Sequence, residues 1–215
     1  MLTRTAEFGQ KRSIERNQTG SWSVPVIADL PESLMANRTY LMAHSNERAT
    51  TAGVAEDTCL LAANHQVPIL WLALFDDSDL TFVDVPCTDE EGNEVLERIP
   101  TFFTSLEKAS ATYGSRRTNL AAALGAASAN VLREWEEFLS SAILQSRLQI
   151  DLIELLMMYD DPADFLLDVR DWSDGVACQS GHGWQSLCSQ AHLDDPEVSR
   201  YGLRGFPWNA NIRWS

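Results

Sequence analysis

Val67-Pro-Ile-Leu-Trp-Leu-Ala-Leu-Phe75 is the stretch on which the fold turns. From Ile69 to Phe75 it is apolar on both faces, so it reads as a central strand covered on two sides. Pro68 stands at its start, where a missing N–H is tolerated. The run is far short of the ~20 apolar residues that a membrane-spanning helix needs.

On either side the pattern alternates between strand and helix. Thr39-Tyr-Leu-Met-Ala43 has the β-branched and aromatic character of a short strand. Ala52 to Asn64 places Val54, Ala55, Cys59, Leu60 and Ala63 on one side of a helix. After the turn Asp76-Asp-Ser-Asp79, Leu80 to Val85 reads as a second strand. The acidic segment Cys87 to Glu94 reads as a loop.

Thr101 to Leu124 is helical in character, with Leu96, Ile99, Phe102, Phe103 and Leu106 as its stripe and Gly114 as a break. Asn130 to Leu148 is the clearest amphipathic helix, through Val131, Leu132, Trp135, Phe138, Leu139, Ala142 and Ile143. Leu148-Gln-Ile-Asp-Leu152 alternates as a strand does, with a helix running on to Met158 as the competing reading. Asp161-Pro162-Ala-Asp164 starts a further helix that runs to about Trp172. Asp161 caps free N–H groups, Pro162 fits the first turn, and Asp164 meets the positive end of the dipole. Residues 173–215 read as an irregular cap over the core, or as carrying a final strand near Ala210 to Trp214. Trp71 and Trp135 belong to apolar runs and are expected in the core. Trp184, Trp208 and Trp214 are expected to pin the cap, with an interface hot spot as the competing reading. These elements predict an α/β or α+β domain over residues 35–215, a small sheet packed by several helices, with helix exceeding strand.

Charge narrows the function classes. The 215 residues carry 31 acidic side chains against 16 Lys and Arg, a formal charge of −15. In residues 1–34, Arg4, Lys11, Arg12 and Arg16 balance Glu7, Glu15, Asp29 and Glu32. The excess therefore belongs wholly to residues 35–215. Such a field repels phosphate backbones, so no nucleic acid is expected as partner. It draws in basic proteins. Asp76, Asp77, Asp79, Asp84, Asp89, Glu90, Glu91 and Glu94 concentrate the charge and are the expected docking face for a basic partner.

Residues 1–34 show no useful period and read as a disordered extension, with Met35 as a natural start. Their apolar runs are too short for a secretory h-region. Four cysteines make no disulfide framework in a chain of this size. A cytoplasmic protein with reduced thiols and no membrane partner is the expectation.

Met35-Ala-Asn-Arg-Thr-Tyr-Leu41 resembles the opening of an uncharacterised bacterial family that begins Met-Ala-Asn-Arg-Ser/Thr-Tyr-Leu. Leu152-Ile-Glu-Leu155 followed by Asp160-Asp-Pro-Ala-Asp-Phe165 is similar to that family's strand-then-helix passage. The resemblance implies a bacterial cytosolic protein without an assigned enzymatic role, and it carries over no catalytic residue. Small acidic bacterial proteins of this kind include immunity proteins that neutralise toxins.

Motifs for catalysis are sparse. Phosphate-loop, dinucleotide-binding, nucleophile-elbow and His-Glu-x-x-His patterns are all missing from the sequence. The one constellation is Cys178-x3-His182-x5-Cys188-x3-His192, two thiolates and two imidazoles in number for tetrahedral zinc. Its spacing departs from the usual two-to-four-residue cysteine knuckle, and Gly181 and Gly183 argue against a helix through the first pair. Two functions follow as expectations. The first is a non-enzymatic acidic binding protein, immunity-like, that occludes a basic toxin and needs no cofactor. The second is a zinc-binding or thiol-dependent small enzyme using Cys178, His182, Cys188 and His192.

Overall fold

The computed structural model describes residues 37–50, 59–88, 93–141 and 146–208. The expectations for residues 1–34, for Ala52 to Thr58 and for a strand at Ala210 to Trp214 lie outside them.

Among the described residues, six strands form one antiparallel sheet. They are β1 (Arg38–His44), β2 (Cys59–Asn64), β3 (Leu80–Thr88), β4 (Glu94–Ser105), β5 (Arg147–Asp151) and β6 (Phe206–Pro207), in the order β3-β4-β5-β1-β2-β6. The helices are α1 (Ile69–Leu72), α2 (Leu106–Leu124), α3 (Ala129–Leu139), α4 (Ile153–Leu156), α5 (Pro162–Cys178), α6 (Gly181–Gln190) and α7 (Pro196–Arg204). The fold is α+β, and helix exceeds strand. No helix among the described residues is long and apolar enough to cross a membrane.

Period-two alternation divides the sheet into two faces. Leu41, Ala43, Leu61, Ala63, Phe102, Leu148 and Ile150 join the helices in the main core. Tyr40, Met42, Cys59 and Ala62 point to the other face, where Phe206 and Trp208 pack on them. A register shift between Leu41 and Met42 opposite β2 lets Leu60 and Leu61 both enter the main core. A bulge of this kind hides strand alternation in sequence.

The deciding stretch is a helix. Ile69 to Leu72 form α1, with Leu72 N–H donating to Pro68 O and Ala73 N–H to Ile69 O. An apolar run of this length is compatible with either state, and its surroundings select. Here the slots beside β1 are filled by β2 and β5. Trp71 is fully buried and donates Nε1–H to Arg204 O at 2.9 Å. Arg116 on α2 donates to the carbonyls of Leu72 and Phe75 at 3.2 and 2.6 Å. That guanidinium supplies donors that the end of so short a helix cannot find within itself.

Two other helical expectations give way to strands. Cys59–Asn64 is β2, because pairing with β1 satisfies a backbone that both faces bury. Glu94–Ser105 is β4, whose Thr101-Phe-Phe-Thr104 favours a pleated surface. The helix begins only at Leu106, where the Ser105 hydroxyl accepts Lys108 N–H at 3.1 Å. It then runs through Gly114, where an added Cβ would meet open space, so the expected break is not there. The expected helix over Asn130 to Leu148 is α3 followed by β5. Val131, Leu132, Trp135 and Phe138 are buried as the period requires. The strands at Thr39 to Ala43, Leu80 to Val85 and Leu148 to Asp151 are formed.

Helix α5 starts as its capping chemistry dictates, with Asp161 Oδ1 accepting Ala163 N–H at 2.8 Å. It continues beyond Trp172 to Cys178. The expected irregular cap is instead the end of α5 with α6, α7 and β6. Gly183 sits inside α6 because a Cβ there would overlap the Asp171 carbonyl, and one at Gly175 would overlap the Trp184 backbone. These glycines let α5 and α6 pack backbone to backbone, and that close contact offsets their low helix propensity.

Candidate functional site

The hairpin β3–β4 carries the feature with most reach. Strand β4 meets β5 only through Phe102, Phe103, Thr104 and Ser105. The remainder of β4 pairs with β3 alone, from Thr101 opposite Thr81 to Glu94 opposite Thr88. Past Ile99 the hairpin leaves the core, and every residue from Glu94 to Arg98 is exposed. Two apolar side chains stand out on this arm, Leu96 at 69% and Val95 at 42% exposure. Asp84 on β3 is exposed too and lies opposite Arg98. The Arg98 guanidinium rests 4.6 Å from the centre of the Phe82 ring.

The eight expected docking acids therefore divide into groups. Asp84 and Glu94 are on the exposed arm. Asp89, Glu90 and Glu91 lie outside the described residues, in the sequence that joins its two strands. Asp76, Asp77 and Asp79 belong to a 3-10 turn at the arm's root and are held by internal partners. Asp76 accepts Ser78 N–H at 2.8 Å, and Asp79 accepts Asp76 N–H at 2.9 Å. Lys108 Nζ reaches Asp76 at 3.0 Å and Asp79 at 2.8 Å. Burial pulls against the Lys108 charge, but bonds to Asp79 and Asp76 override it and hold its pKa above the ordinary value. Asp77 accepts the Ser173 hydroxyl at 3.0 Å, which ties the turn to α5.

The Cys/His constellation is spread over two helices and a turn. Cys178 is exposed at the end of α5, and His182 is exposed in the first turn of α6. His182 Nδ1 lies 3.1 Å from Asp171 Oδ2. Cys188 is half-buried against the main core, and burial pushes its thiol pKa up, away from the thiolate that a nucleophile or metal ligand requires. His192 is exposed in the turn after α6, with φ at 48°. Among the described residues, no group of three His, Cys, Asp or Glu side chains is arranged to hold a metal ion.

Sequence reasoning missed a polar row on the second sheet face. Glu154 accepts Arg38 N–H at 2.8 Å and the Tyr40 hydroxyl at 3.4 Å. Burial raises the Glu154 pKa, and the bond from Arg38 offsets part of the rise. Asp151 accepts Ile153 N–H at 2.9 Å; burial pushes its pKa up to about 6, the Ile153 bond works against this, and nearby Glu154 adds to it. Farther along β5, Gln149 bonds to His44 and to Thr50. Arg38 also stacks its guanidinium 5.2 Å from the Trp208 ring centre, and Trp208 meets Tyr40 edge-on at 5.3 Å. The alternation Arg38-x-Tyr40-x-Met42-x-His44 was the available signal, and it reads as a strand face rather than a site.

The fold and arm together define a class: an antiparallel α+β protein with a projecting acidic hairpin. Comparison with protein-family models, curated proteins and solved structures finds no match.

Proposed function

We propose that this chain is a non-enzymatic binding protein that holds a basic protein through the outer half of the β3–β4 arm. The observation that carries the reading is the arm's surface. Exposed Leu96 shares one face of the arm with Glu94 and with Asp84, which lies opposite Arg98, and exposed Val95 shares the other face with Glu97. Asp89, Glu90 and Glu91 add three more acids in the joining sequence. Apolar anchors bring affinity when water is excluded from them, and surrounding carboxylates steer a cationic partner and fix its register.

The specific form we propose is immunity-like: the partner is a basic bacterial toxin, met in the cytoplasm and neutralised by occlusion. Co-purification from the native host is the test. A basic protein should be recovered, and its affinity should fall steeply with salt, since exposed charges are screened within about 10 Å at 0.1 M. Recovery of no partner, or a complex indifferent to salt, overturns the reading.

A further inference from the structure

Gln149 on β5 is fully buried and is clamped twice by one residue. Thr50 N–H donates to its Oε1 at 3.1 Å, and its Nε2 donates to Thr50 O at 2.8 Å. A backbone N–H can only donate and a carbonyl can only accept. The Gln149 amide therefore has one allowed orientation.

That orientation fixes the state of His44. Its Nε2 lies 3.2 Å from the same Oε1, which is an acceptor, so Nε2 carries the proton. Nδ1 is then a bare acceptor in the neutral ring. It is buried without a hydrogen-bond partner among the described residues, in a residue only 3% exposed.

Among the described residues, nothing around His44 accepts a new proton's hydrogen bond. On β4, Phe103 stacks on the imidazole with ring centres 5.6 Å apart. On β5, the charged neighbour is Arg147, directly opposite in the strand register and of like sign. The Ser45–Thr50 strap carries Glu47 and Arg48, both exposed. Burial, and then Arg147, hold the His44 pKa below its ordinary value, against the opposing effect of Gln149.

We infer that His44 is an acid-sensitive latch: a proton on Nδ1, which meets no acceptor among the described residues, is solvated by lifting the Ser45–Thr50 strap off Gln149. The neutral form favours the closed strap above the ordinary histidine pKa, and that preference is lost as pH falls through the lower folded value. This device is independent of the partner proposed for the arm.

The test is NMR on the full chain from pH 7 to pH 5. Imidazole nitrogen shifts should show the Nε2–H tautomer and titration below about 6.5. Protection of the Thr50 amide against hydrogen exchange, corrected for intrinsic rates, should fall by about tenfold per pH unit below about 6.5, until the folded titration point is reached. Substitution His44→Phe should abolish that fall while Asp151→Asn leaves it intact. An Nδ1–H tautomer, titration at the ordinary value, or unchanged Thr50 protection in the wild type overturns the latch, whether or not the variants fold. So does an equal loss of protection in His44→Phe.

Discussion

Nζ of Lys108 lies 2.8 Å from Oδ1 of Asp79, so the start of α2 is fastened to the 3-10 turn at the root of the acidic arm. Asp79 is buried, whereas Lys108 keeps 39% of its side chain in solvent. The pair therefore acts less as a surface ion pair than as the satisfaction of one buried carboxylate.

Replacing Lys108 with Met is expected to lower stability by about 1–3 kcal/mol, because Asp79 is left buried without its cation. Partial exposure of the lysine keeps the loss below that of a fully buried pair. Urea melts at pH 7 check this. The neighbouring Asp76 also has a pH signature. Burial raises its pKa, but bonds from Ser78 and Lys108 bring it below the ordinary carboxylate value. Its contribution is present above that ordinary value and is lost as pH falls through the depressed one.

Leu96→Ser is expected to separate binding from folding. Leu96 is 69% exposed, so stability should change by less than about 0.5 kcal/mol. Loss of an apolar anchor should weaken the partner complex by about tenfold. Titration calorimetry with the recovered partner, beside thermal melts of the free chain, measures both.

Asp151 predicts a dependence of opposite sign to that of Asp76. Its folded pKa of about 6 lies above the ordinary value of 3.8. Its favourable contribution is complete below the unfolded value and is lost as pH rises through about 6. Asp151→Asn, which keeps an acceptor for Ile153 N–H, should raise stability at pH 8 by about 1–3 kcal/mol and change little at pH 4. Thermal melts at the two pH values decide the matter.

Gly183→Ala should cost about 1–3 kcal/mol, the range for overpacking a close contact, although alanine is the better helix former. The new Cβ would meet the Asp171 carbonyl, which is backbone and cannot rotate away. Gly114→Ala on α2 is the control, since nothing lies near its Cβ and helix propensity alone should act. A destabilised G183A beside a neutral or stabilised G114A, in chemical denaturation, is the expected result.

Local chemistry was legible wherever one residue's preference was enough. The Asp161-Pro162 start of α5 follows from capping, the strand at Thr39 to Ala43 from its β-branched and aromatic character, and the strand at Leu148 to Asp151 from alternation. The buried face of α3 follows from the period of Val131, Leu132, Trp135 and Phe138. Legibility ended where contacts distant in sequence outweigh local pattern. The stripe from Leu96 to Leu106 matched a helix until its backbone found β3 and β5. Gly181 and Gly183 argued against a helix through Cys178 and His182, and α5 does end at Cys178 before α6 begins at Gly181. That Gly183 nonetheless lies inside α6 follows from the α5 backbone it packs against, which is invisible in a local window.

The site divides in the same way. Composition alone determined the acid excess and its confinement to residues 35–215, because charge is a sum over side chains. Which acids face outward was decided by tertiary structure. Asp76 and Asp79 are spent on Lys108, about thirty positions away in sequence, whereas Asp84 and Glu94 are carried past the end of β5 into solvent. For Val67 to Phe75, the sequence by itself determined burial, since nine such side chains have no favourable place in water. Helix rather than strand was settled by what surrounds it: β2 and β5 already flank β1, Arg116 meets the carbonyls of Leu72 and Phe75, and Arg204 O accepts the Trp71 indole. Hydrophobicity sets whether a segment is buried, and the partners available to its backbone set the form it takes there.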